Sequence, residues 1–491
     1  MSLTNRSIQS SMWILFMGLF QRGAGIISMI ILARLLTPTD FGIVALATIL
    51  VFLFDTLSEL GNKQYIISKL DVNDDDLNTA WTLNIIFKLV IWVVFLLLIP
   101  YISQYMEKPE IAPALYLLSL LLPIQAMGNP GVWLYLRELN YRPFVKVTMV
   151  SKTLGFITVI SLALLFENYW AMLIGTLLGY LVPVILSYYI HPFRPSLSLN
   201  RAKVQSSYSQ WIIFKGLVGY SRSQVDSMLI TKFFDLKIVG VYTMLKNISA
   251  IPGQQIIAPL VEPLLAVFSK SKNDKVNLSY QFNLSMLVVL IMVMPIAVLL
   301  FNFHFQIIGI ILGSEWVQHS NLLAAMIFLL ISFSISGILT QILIALDKVK
   351  FIFYYDVISF IAAAGILIFL QGQSIETFTW ARSLIAIFTS IFLLAFVIWQ
   401  LKTSYIHSFS LILLPVLSSL IAIYLAKLIV TLFSAEGIVE LIITGFIFGI
   451  LYLTILAIAL STYKKPQEII QLKIILNDYL KNVQNKIKAF K

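Results

Sequence analysis

The sequence predicts an all-α integral membrane protein. Three observations carry that prediction: apolar stretches about 20 residues long recur along nearly the whole chain, charged residues are scarce, and basic residues are distributed unequally between alternate connections. Only 12% of the 491 residues are charged and 59% are hydrophobic, whereas soluble domains carry roughly 25% charged residues. A helix rises 1.5 Å per residue, so about 20 residues cross the hydrocarbon core. Such segments fall at 10–34, 39–61, 78–101, 112–130, 147–166, 169–191, 206–232, 238–268, 277–303, 319–345, 351–371, 376–401, 408–432 and 438–462. They run unbroken rather than as alternating ten-residue pieces, which points to a helical bundle of about fourteen crossings (twelve to fourteen) and away from a barrel.

The first segment follows Met1 to Ser11, where Arg6 is the one basic residue, and it is too long and lacks a small-residue cleavage site for a signal peptide. It is expected to stay as the first helix. Asp74, Asp75 and Asp76 precede the third segment and suit the positive end of a helix. The eighth contains Pro252-Gly253-Gln254-Gln255, then Pro259 and Pro263, and each proline removes a backbone hydrogen bond, so a bent helix is expected. Beyond Pro466, Ile469, Leu472, Leu476, Leu480, Val483 and Ile487 recur at helical spacing among lysines, as in an amphipathic helix lying on an anionic leaflet.

With the amino terminus inside, the inner connections and termini hold 23 of the 34 basic residues and the outer ones only Arg34, Lys108, Lys232 and Lys237. This is the positive-inside pattern. It explains the net charge of +11 without nucleic acid and places both termini in the cytoplasm. The absence of cysteine removes disulfides and thiolate metal sites.

The segment Leu32-Ala33-Arg34-Leu35-Leu36 leads to Gly42, and Ile230-Thr231-Lys232-Phe233-Phe234 leads to Gly240, with matching positions 198 apart. The repeat predicts an N-lobe of six helices (1–204), a C-lobe of six (205–402), two appended helices (403–463) and a basic amphipathic tail (464–491). Transporters place their substrate between such repeats.

A charged group at the bilayer centre costs at least about 2.5–3.5 kcal/mol, so it faces a protein interior or a wet cavity. In the seventh segment Lys215, Gly219, Arg222 and Asp226 share one helical face, and Arg22 sits between Gly18 and Gly25 on one face of the first. Lys246 in the eighth segment joins them, with Asp55 and Glu59 in the second. Arg22, Lys215, Arg222 and Lys246 form a candidate cationic cavity for an anionic headgroup, since a guanidinium grips phosphate oxygens in pairs. The competing reading makes Arg222 and Asp226 an i,i+4 pair that locks helices together. Lys88, near the centre of the third segment, fits either role. Asp226, Asp55 and Glu262 are candidates for coupling to a proton or sodium ion. No Gly-Lys pair occurs, so there is no phosphate loop for an ATP motor, and the four histidines are scattered, leaving no metal cluster and no implied cofactor.

The stretch Leu32-Ala33-Arg34-Leu35-Leu36-Thr37-Pro38-Thr39-Asp40-Phe41-Gly42 resembles the signature after the first helix of bacterial polysaccharide transporters in the multidrug/oligosaccharidyl-lipid/polysaccharide flippase superfamily. Leu57-Ser58-Glu59-Leu60-Gly61, Leu136-Arg137-Glu138-Leu139-Asn140-Tyr141-Arg142, Asp226-Ser227-Met228-Leu229-Ile230 and Gly240-Val241-Tyr242 extend the resemblance. It implies a transporter of the bacterial inner membrane that moves undecaprenyl-diphosphate-linked oligosaccharide outward by alternating access, for O-antigen, capsule or exopolysaccharide. The implied partners are that lipid-linked sugar, membrane lipids and polysaccharide assembly proteins. Asp235 departs from the pattern, standing where glycine is expected in the turn after the seventh helix. A drug antiporter of the same fold would want an acidic cavity, and a membrane glycosyl transferase or polymerase would want a long outer loop with catalytic carboxylates or arginines.

Overall fold

The computed structural model describes residues 3–69, 71–138, 140–432 and 437–462, with Glu468 and Ile470. Fourteen helical stretches match the fourteen predicted segments one for one: α1 (Leu3–Leu35), α2 (Pro38–Ser58), α3 (Asp74–Tyr105), α4 (Pro109–Ala126), α5 (Arg142–Phe166), α6 (Trp170–Ile190), α7 (Ala202–Phe233), α8 (Leu236–Lys270), α9 (Lys275–Asn302), α10 (Asn321–Ala345), α11 (Val349–Phe369), α12 (Ile375–Leu401), α13 (Tyr405–Thr431) and α14 (Gly437–Thr462). No strand occurs among the described residues. Twelve of these helices are long and apolar enough to cross a membrane. The two outside that set are α1, which carries Arg22, and α7, which carries Lys215, Arg222 and Asp226. The predicted amphipathic tail lies outside the described residues apart from Glu468 and Ile470.

Local chemistry sets the helix starts. Thr37 caps α2 in a reciprocal box with Asp40, and Asn73 caps α3 with Asp76. Asp76 is fully buried and also takes both its oxygens to Lys69 Nζ at 2.7 Å. That hydrogen bonding raises the Lys69 ammonium above its usual 10.5. Within α8 the helix runs to Pro252, widens into a π-turn over Gly253–Ile257, returns to α-helix at Ala258–Val261, and continues after Pro263. Proline accounts for the break by withholding its N–H.

Contacts divide the chain into two units, residues 1–244 with 360–372 and residues 245–359 with 373–491. Helix α7, which the sequence repeat assigns to the second half, groups with the first unit because it packs along α2. The Tyr220 hydroxyl donates to the Ile49 carbonyl at 2.7 Å in that contact. The first unit's core is built by α2, α3 and α4, with Leu46, Leu50, Phe95, Ile99, Leu115 and Leu118 buried together. Helix α1 packs on α5, and α5 packs closely on α6, where a Cβ at Gly175 would overlap the Val159 side chain.

In the second unit α9 is central. On one side it buries Phe282, Met286 and Leu290 with Leu339 and Leu343 of α10 and Val397 of α12. On another it meets α13 and α14, where the Tyr452 hydroxyl donates to the Ile291 carbonyl at 2.7 Å. Serines join α10 to α12, with Ser332 Oγ 2.6 Å and Ser336 Oγ 2.9 Å from Ser390 Oγ. In a membrane, where apolar burial gives no preference for helix over lipid, such packing and hydrogen bonds hold helices together.

The repeat motifs themselves touch, within the first unit. A Cβ on Gly42 would overlap the Leu236 carbonyl, and a Cβ on Gly240 would overlap the Pro38 carbonyl. Positions 38 and 42 are equivalent to 236 and 240 under the 198-residue repeat, so the contact is reciprocal. Asp235 is likewise equivalent to Thr37: its Oδ1 accepts from the Ile238 N–H at 2.8 Å and caps α8 as Thr37 caps α2. The aspartate found in place of glycine is therefore a helix cap. Gly42→Ala and Gly240→Ala should each lower stability by about 1–3 kcal/mol through overpacking. Their effects should be less than additive, because opening the crossing once relieves both. Thermal unfolding of purified protein checks this, with Gly445→Ala, where a Cβ meets nothing within 4 Å, as the neutral control.

Candidate functional site

The first unit holds most of the predicted site residues. Arg22 is partly buried on α1, and its guanidinium folds back along the helix so that a Cβ on Gly18 would lie 3.8 Å from Arg22 Cζ. Side chains of a helix lean toward its amino terminus, and glycine one turn earlier leaves room for the planar group. A Cβ on Gly23 or Gly25 would meet nothing within 4 Å, and the same holds for Gly219 on α7, three residues before Arg222. Open space thus adjoins α1 at Gly23 and Gly25 and α7 at Gly219. Arg222 is partly buried. The side chain of Lys215 lies outside the described residues.

Asp226 is fully buried, and the Tyr242 hydroxyl of α8 donates to its Oδ2 at 2.6 Å. Tyr242 is itself fully buried. A phenol on a buried carboxylate satisfies charge that water would otherwise solvate. Sequence reasoning did not assign Tyr242 to the site, although Gly240-Val241-Tyr242 stood among the motifs; its separation of 16 residues from Asp226 across a turn hides the pairing. In the second unit, Lys246 is partly buried and Glu262 is exposed at the interruption of α8.

The structure also resolves Lys88. This lysine is 3% exposed on α3 and makes an ion pair with Asp55 of α2, and its Nζ donates to Gln125 Oε1 of α4 at 3.2 Å. Three helices meet on one ammonium. Phe54 of α2 also stacks on Phe95 of α3, with 4.2 Å between ring centroids. Asp55, a candidate for ion coupling, is therefore held by a lysine, so a proton or cation arriving there competes with Lys88.

Two of the four predicted outer basic residues tie helix ends together. Lys108 Nζ donates to the Thr231 carbonyl at the end of α7, and burial pulls its ammonium below the usual 10.5. Lys232 Nζ donates to the Tyr105 carbonyl at the end of α3 and to Glu107 Oε1 at 3.2 Å, and lies 4.5 Å from the Tyr105 ring centroid. Cations here meet carbonyls at the negative ends of helices.

Apolar spanning helices with charges buried at mid-helix define a multi-pass membrane protein. The fold matches that of a lipid II flippase, MurJ, in an inward closed conformation, with TM-score 0.73 over 92% of this chain and 98% of that one at 17% identity. It also matches an inward-facing multidrug resistance MATE family transporter of the MOP superfamily, with TM-score 0.56 over 80% and 94% of the two chains at 14% identity. The chain belongs to the polysaccharide biosynthesis protein family, whose pattern matches residues 31–321. The lipopolysaccharide biosynthesis protein WzxC of Escherichia coli (strain K12) is 24% identical over 291 residues, 57% of this chain and 58% of that protein. The succinoglycan biosynthesis transport protein ExoT of Rhizobium meliloti (strain 1021) is 22% identical over 368 residues, 73% of each. The chain thus spans less than two thirds of the length of WzxC.

The Lys88–Asp55 pair supplies a test of stability. Lys88→Met should cost about 3–5 kcal/mol, since it strands a buried carboxylate. Lys88→Met combined with Asp55→Leu should recover most of that loss in thermal unfolding. A double variant no more stable than Lys88→Met alone would contradict the pairing.

Proposed function

We propose that this protein is a transporter, not an enzyme, that carries lipid-linked oligosaccharide from the inner to the outer leaflet of a bacterial inner membrane, for O-antigen, capsule or exopolysaccharide assembly. The observation that carries the reading is the placement of Arg22 and Arg222, both partly buried, at mid-helix on α1 and α7. A membrane-buried cation costs several kcal/mol unless it meets an anion or water. A polyprenyl diphosphate offers the phosphate oxygens that a guanidinium grips in pairs. The names of WzxC and ExoT and the fold shared with a lipid II flippase support this substrate class.

In this reading α1 and α7 complete fourteen crossings with both termini in the cytoplasm, as the basic residues require. The repeat forms two lobes around the substrate, with α13 and α14 appended. Lys215 and Lys246 add to the cationic lining. Asp226, Asp55 and Glu262 are the acids available to couple the return step to a proton or sodium ion, and no nucleotide is used. Polysaccharide assembly proteins receive the product.

Arg222→Gln should abolish polymer export at normal membrane abundance, while Arg222→Lys retains part of it, because lysine keeps the charge and gives up the bidentate fork. Cysteine at position 22 or 222 of this cysteine-free chain should react with an impermeant thiol reagent applied from the cytoplasm. Normal export by Arg222→Gln, or protection of both positions in every state, would sink the proposal.

A further inference from the structure

The second unit contains a cavity of about 530 Å³ that the transport reading does not use, lined by Lys275, Ser279, Asn283, Lys402, His407 and Glu468 among others. Lys275 opens α9 and Lys402 caps the end of α12, and both are exposed. Among the described residues, neither ammonium meets a carboxylate at ion-pair distance. The one acid in the cavity, Glu468, is already engaged: its Oε1 lies 3.1 Å from His407 Nε2 and accepts from Asn283 Nδ2 at 3.4 Å. Ser408 Oγ donates to Asn283 Oδ1 at 3.1 Å, which orients the amide so that its NH₂ faces the carboxylate.

Lys402 takes φ 55°, in the left-handed region that favours glycine at the end of a helix. A lysine there keeps a strained backbone and gains a side chain at the cavity wall.

We propose that this cavity binds the phosphate group of an anionic ligand, with Lys275 and Lys402 as its charge partners. The same chemistry is carried by the phosphodiester of an acidic lipid headgroup and by free phosphate. The site belongs to the second unit, whereas Arg22 and Arg222 belong to the first, so it is independent of whether the protein flips a lipid-linked sugar.

The test titrates purified full-length protein in detergent with phosphatidylglycerol, with phosphatidylcholine and with inorganic phosphate, reading ligand affinity from the rise in unfolding temperature. Lys402→Gly removes the charge while keeping a residue suited to the left-handed backbone, so it should unfold no earlier than the parent without ligand. It should weaken anion binding about fivefold, and Lys275→Gln combined with it about twenty-fivefold, since each lysine near a membrane surface contributes comparably to binding acidic headgroups. Stabilisation by phosphatidylglycerol and not phosphatidylcholine supports a lipid headgroup, and stabilisation by inorganic phosphate supports a soluble anion at the same site. Absence of stabilisation by either anion overturns the proposal. So does stabilisation that survives the double variant, or that Lys350→Gln, in the first turn of α11 and outside the cavity lining, weakens equally.

Discussion

The close approach of backbone to backbone at Gly42 and Gly240 governs the geometry of the first unit. Each glycine lies against a carbonyl of the other motif, and no side chain could be accommodated at either position without separating the helices. Several contacts follow from that distance. Two residues beyond Gly240, Tyr242 reaches the buried carboxylate of Asp226, and along α2 the Ile49 carbonyl receives the hydroxyl of Tyr220. Reciprocity makes the crossing economical: one local solution, repeated 198 residues later, fits itself. Small residues at a helix crossing are how membrane proteins gain packing where lipid competes equally for apolar surface.

Charge placement follows a second rule, set by the low polarity of the surroundings. Lys88 and Asp55 neutralise one another and take Gln125 as a further partner, joining α2, α3 and α4. Burying such a pair yields little net stability, yet breaking it is costly, so it fixes helix register more than it strengthens the fold. Arg22 and Arg222 lie partly buried at mid-helix on α1 and α7.

The helical segments were legible because hydropathy and length report directly on what must be buried, and a helix overlaps each expected position. The repeat was legible as an echo of basic residue, apolar residues and glycine, but not the contact between its two copies, since periodicity carries no distance. Lys88 was opaque for a related reason: its partners lie 33 and 37 residues away on other helices, and nothing local selects them. Asp235 looked like a departure from a glycine turn, while its side chain does the capping work of Thr37 one repeat earlier. Proline in α8 announced a break, but the π-turn that follows depends on how freed carbonyls find new donors.

The proposed role of the arginines on α1 and α7 requires that an anionic lipid-linked sugar pass them. The direct measurement is movement of fluorescently labelled polyprenyl-diphosphate oligosaccharide across proteoliposomes containing the purified protein, followed by accessibility to an external quencher. The account predicts movement without nucleotide, responsive to an imposed membrane potential or ion gradient and lost in Arg222→Gln. Movement no faster than in protein-free liposomes under every gradient, or movement that requires ATP, would contradict it.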